Sequence, residues 1–167
     1  MSIYAARTII EATFNLTAIN AAIDTLNTAW GTACPHLVAV ADGHTVSPEQ
    51  LGPGNYPGLL YLVPAAPAAT EVPRTGLRDF DDLQCALMVV PRGGDIEGDR
   101  TQIDVMLEAL NPLIDSLRAQ ALAGNTNWGV IDVVNLSADV VPSTQEGATI
   151  RLTGVWKFGL KVRRVGL

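Results

Sequence analysis

From Ile150 to Val162 the chain alternates without a break. Even positions hold Ile150, Leu152, Gly154, Trp156, Phe158, Leu160 and Val162, and odd positions hold Arg151, Thr153, Val155, Lys157, Gly159, Lys161 and Arg163. Successive side chains of a strand point to opposite faces, so this pattern predicts one long strand with a single buried face. A second run precedes it, in which Val134, Leu136, Ala138 and Val140 alternate with Asn135, Ser137 and Asp139. The two runs predict an antiparallel hairpin turning through Pro142 to Ala148. Placing Asp139 opposite Arg151 and Ser137 opposite Thr153 aligns both polar faces, and a one-residue slip would bring apolar residues to the wrong side.

The rest of the chain supplies elements to cover that buried face. Leu16, Ile19, Ile23, Leu26 and Trp30 recur at spacings of three and four, which predicts an amphipathic helix stopped by Gly31. The pattern leaves open how far this helix extends back through Ile9 and Ile10. Leu37 to Ala41 and Leu59 to Val63 read as short strands, separated by glycine- and proline-rich loop chemistry from Ser47 to Gly58. Leu83 to Val90 is apolar on both faces except at Gln84, as in a strand at the centre of a sheet. After a loop at Gly93 to Gly98, Asp99 to Gln102 resembles a capping box. Ile103, Leu107, Leu110, Ile114, Leu117 and Ala121 then keep helical spacing as far as Gly124, with a kink or break expected near Asn111 because Pro112 removes a backbone bond. The order α-β-β-β-α-β-β predicts a single α+β domain over residues 1–167, a mostly antiparallel β-sheet with two helices packed on one face.

With 48% hydrophobic and 17% charged residues, the 167-residue chain can bury a core of its own and is not of the disordered class. No apolar run approaches the roughly 20 residues that span a bilayer, and the N-terminus lacks the basic and apolar regions of a secretory signal. Two cysteines, Cys34 and Cys85, fit reduced cytosolic thiols better than a disulfide framework. The net charge of −6 argues against wholesale nucleic-acid binding, yet no acidic residue follows Glu146, while Arg151, Lys157, Lys161, Arg163 and Arg164 do. Such asymmetry suits an anionic partner, or identical subunits meeting through unlike faces.

Residues able to carry chemistry are few. Cys34, His36 and His44 could hold zinc only with a fourth ligand such as Asp42, and their spacing follows no familiar zinc pattern; a buried cysteine beside a turn is the simpler account. Gly93 to Asp99 gathers three carboxylates without calcium-loop spacing, which reads as a solvated turn and helix cap. Asp79, Asp81 and Asp82 could form a paired-carboxylate site, but read more simply as a charged loop end. No nucleophile elbow occurs. No catalytic, cofactor or metal residue is therefore assigned, and the chain reads as a non-enzymatic, intracellular domain that assembles with other protein subunits. Arg151, Lys157, Lys161 and Arg163 form a basic face. It is either the solvated outer side of an edge strand, or a subunit contact or DNA-channel wall. The long loop from Pro64 to Asp82, rich in proline and alanine, carries Val72, Leu77 and Phe80 among Arg74, Arg78 and acidic residues. Apolar anchors among charges make it a candidate contact arm.

The helix from Leu16, the strand-bearing Tyr56 to Pro64 segment, the helix Ile103 to Leu110 and the late alternating hairpin together resemble the tail terminator and tail completion proteins of long-tailed bacteriophages. That resemblance implies a virion structural protein, made in the host cytoplasm, with no catalytic residues. It implies a homohexameric ring that caps the tail tube and joins it to the head connector, with passage of genomic DNA through the ring. A head–tail connector or neck subunit is the nearest alternative, and a small ligand- or metal-binding enzyme domain a more distant one.

Overall fold

The computed structural model describes residues 3–47, 50–51, 54–63, 80–92, 96–122, 130–143 and 151–163. Among these, helices α1 (Ile3–Thr13), α2 (Leu16–Trp30) and α3 (Ile96–Leu122) accompany strands β1 (Ala39–Asp42), β2 (Gly58–Leu62), β3 (Phe80–Val90), β4 (Val130–Ser143) and β5 (Arg151–Arg163). The strands form one sheet in the order β1-β2-β3-β5-β4. Only β1 and β2 pair in parallel; the other neighbours are antiparallel. This is the expected α+β class, with one helix more than the pattern predicts.

Parity along the strands decides which face is covered. Leu83, Cys85, Leu87 and Val89 of β3, with Phe158 and Leu160 of β5 and Leu59 and Tyr61 of β2, join the main core. All three helices feed the same core, α1 through Ile9 and Ile10, α2 through Ile19 and Ile23, and α3 through Ile103, Met106, Leu110, Ile114 and Leu117, with Phe14 joining from between α1 and α2. Phe14 meets Phe158 at a ring separation of 6.3 Å. Gly154 is where α3 comes closest to the sheet. A Cβ there would lie 2.5 Å from Ile103 and 2.6 Å from Val89, so the approach needs a residue without a side chain. The opposite sheet face has a smaller cluster of Leu51, Leu60 and Val90, towards the β1–β2 end.

Local chemistry sets the boundaries. Asn15 ends α1 and starts α2: its Nδ2 donates to the Ala12 carbonyl at 2.8 Å and its Oδ1 accepts from the Ala18 N–H at 3.0 Å. Gly31 closes α2 in the left-handed conformation, φ 66°. β3 is the middle strand, as its two-sided apolar pattern predicts.

Several expectations are corrected. Trp30 is 52% exposed, because α2's contact face ends at Leu26. The first strand begins at Ala39, and Leu37 is buried ahead of it. α3 begins at Ile96, so Asp99 lies buried within its first turn instead of capping it. Pro112 does not break α3. Glu108 and Pro112 are both exposed, so the carbonyl that loses its donor lies on the solvent side. β3 starts at Phe80, which places Phe80, Asp81 and Asp82 in the sheet and not in the preceding loop. Asp139 pairs with Val155, not Arg151, and Ser143 takes the place opposite Arg151. The shift is an even number of residues, so facing is preserved. An irregularity between Val134 and Ser137 moves the core-facing parity of β4 from Val133 to Val140 and leaves Leu136 exposed. Gly124 and the turn over 144–150 lie outside the described residues.

Candidate functional site

The residue types able to do chemistry are dispersed. Cys34 is buried, its thiol near the carbonyls of Pro35 and Gln102, and burial pushes its pKa up to about 11. His36 Nε2 bonds Asp24 at 2.7 Å on the surface of α2. His44 Nε2 donates to the Val63 carbonyl at 2.8 Å, while the His44 backbone N–H meets Asp42. Each is committed to a separate partner, and among the described residues no three metal-binding side chains converge. Asp79 lies outside the described residues, and Asp81 and Asp82 fall within β3. Cys85 is buried, with its thiol driven to about 12 by desolvation, and both cysteines are free. A thiol held neutral in this way is a poor nucleophile.

A polar cluster fastens α1 to β1 and β2. The Tyr61 hydroxyl donates to the Glu11 carboxylate, and Arg7 lies 3.8 Å from Asp42. Burial first, and Glu11 second, raise the Tyr61 pKa to about 12. Sequence periodicity gave no sign of this cluster, because its members come from α1, β1 and β2.

Among the described residues, two apolar grooves lie on opposite sides of the sheet. One, of about 430 Å³, runs between α2 and α3 on the side away from the sheet. Ala22, Leu26, Ala109 and Leu113 floor it, and Glu108 stands at its rim. The other, of about 360 Å³, lies on the sheet face that carries no helix, over Leu62, Met88, Val141, Thr153 and Val155, with Lys157 beside it.

The basic face is placed by the second groove. Lys157 is exposed, as expected, but Thr153 and Val155 on the same side are buried. β5 is not an edge strand, because it runs between β3 and β4. Arg151, Lys161 and Arg163 share the odd parity of Lys157, along a strand whose register against β3 is unbroken. Lys161 falls opposite Asp82 on one side and Asp132 on the other, whereas Lys157 falls opposite Ala86 and Ser137. Of these arm and channel candidates, Val72, Arg74, Leu77 and Arg78 lie outside the described residues.

The sheet ends at β4, and this edge is blocked. The Val140 N–H donates to the Asp139 carboxylate at 2.8 Å, and Pro142 has no N–H. Backbone groups alternate in direction along an antiparallel edge, so Val140 and Pro142, two residues apart, turn the same way. With the irregularity upstream, few donors remain for an added strand. A scan against protein-family models and a search of curated proteins return no match to this chain.

Proposed function

We propose that the chain is a structural virion subunit, a tail terminator whose copies close into a ring that caps the phage tail tube and joins it to the head connector. The observation that supports this reading best is the one-sided sheet. Helices cover one face, and the other carries an open apolar groove bordered by a lysine. A subunit built to assemble needs apolar surface that only another protein covers. The scattered histidines, cysteines and aspartates, each held in its own local contact, give the reading further support over an enzymatic one. In this account the tube protein and head connector are its partners, genomic DNA passes through the ring, and the mature location is the virion neck.

Negative-stain imaging of the purified chain, alone and mixed with tail tubes, tests the proposal. Rings that sit on tube ends are expected. A chain that stays monomeric and leaves tube ends bare contradicts it.

A further inference from the structure

We infer that the helix-side groove of one copy receives the helix-free sheet face of the next, with Glu108 of one subunit meeting Lys157 of its neighbour. This rests on the assembly reading above and names the surface through which copies join.

Three observations carry it. The first is charge. α2 and α3 hold six carboxylates and two guanidinium groups, while β5 holds four basic residues and no acid. The two helices thus carry net negative charge and β5 net positive, while β3 and β4 add Asp81, Asp82, Asp132 and Asp139 to the sheet. The second is pairing within the subunit. Lys161 falls opposite Asp82 and Asp132, whereas the residues directly opposite Lys157, Ala86 and Ser137, are uncharged, and Asp139 one pair along accepts from the Val140 N–H. Neither Lys157 nor Glu108 makes a salt bridge among the described residues. Each is an exposed charge beside an apolar groove, which is how the polar rim of an interface is arranged. The third is the β4 edge, where Asp139 engages the Val140 N–H and Pro142 has none, so continuing the sheet past β4 is disfavoured. Contact between unlike faces is heterologous, and a heterologous contact closes into a ring when its rotation permits.

The test is a charge exchange in the full chain. Lys157→Glu and Glu108→Lys should each weaken association at least about tenfold in sedimentation velocity, the double exchange should recover most of that loss, and salt should weaken the wild type. Both positions are exposed, and thermal melts check that each variant folds. A second measurement needs no variant: carbodiimide coupling of the wild-type assembly should join the peptides bearing Lys157 and Glu108 between subunits, read by mass spectrometry of mixed light and heavy protein. Wild-type assemblies that ignore both exchanges and yield no such cross-link overturn this interface and leave the ring reading standing. A wild type that is monomeric at every concentration overturns both.

Discussion

Replacing Gly154 with alanine tests how α3 lies on the sheet. The added methyl would sit 2.5 Å from Ile103 Cγ2, 2.6 Å from Val89 Cγ2 and 3.1 Å from Leu107 Cγ, all inside ordinary contact distance. Ile103 and Val89 are fully buried and β-branched, so neither can rotate away freely. They also belong to different elements, so relief for both means lifting α3 from β5 and displacing Val89 on the paired strand β3. Overpacking of this kind costs about 1–3 kcal/mol. Alanine recovers roughly 0.5–1 kcal/mol by restricting the unfolded chain more than glycine does. The net expectation is a loss of about 1–2 kcal/mol. Urea unfolding should show this as a lower midpoint at unchanged slope. Gly54→Ala is the control, since nothing lies within 4 Å of that Cβ, and it should change stability little. A Gly154→Ala protein as stable as the wild type would refute the packing of α3 over β5.

Other consequences are independent of that contact. Trp156→Phe should cost about 1 kcal/mol, because the ring is only partly buried and its N–H donates to the Leu107 carbonyl at 2.9 Å; chemical denaturation reads the loss. The thiols of Cys34 and Cys85 and the Tyr61 hydroxyl all have raised pKa values in the fold. The unfolded chain therefore ionises first, and stability should fall as pH climbs from about 9 towards 12, with no such trend from these groups below 9. Iodoacetamide at pH 8 should leave both native cysteines largely unmodified and label both after denaturation. Restoring donors to the β4 edge with Asp139→Ala and Pro142→Val together should produce a new, concentration-dependent association in sedimentation velocity, and unchanged behaviour counts against the blocked edge.

Much of this architecture follows from residue periodicity, and the misses have physical causes. Alternation located β5, the two-sided apolar pattern of Leu83 to Val90 placed β3 in the middle, and Gly31 marked the end of α2. Alternation reports facing but not register, which is why the β4–β5 pairing from Ser137 to Ser143 is displaced while its parity over that stretch holds. It also cannot register an extra residue, so the irregularity near Leu136 passed unseen. Asn15 both ends α1 and begins α2, a double role that a helical wheel averages away. Proline at 112 forbids a hydrogen bond only to Glu108, and on the exposed side of α3 that loss is tolerated. The basic residues of β5 were evident, but Lys157 stands apart from Lys161 only once the neighbouring strands are known. The grooves draw on several elements each and have no signature in sequence.

Native mass spectrometry of the full chain, titrated over concentration at low salt, addresses the central claim most directly. The account predicts one dominant closed species at six times the subunit mass, giving way to monomer as salt rises. A monomer at every concentration, or an open ladder of sizes with no preferred number, contradicts it.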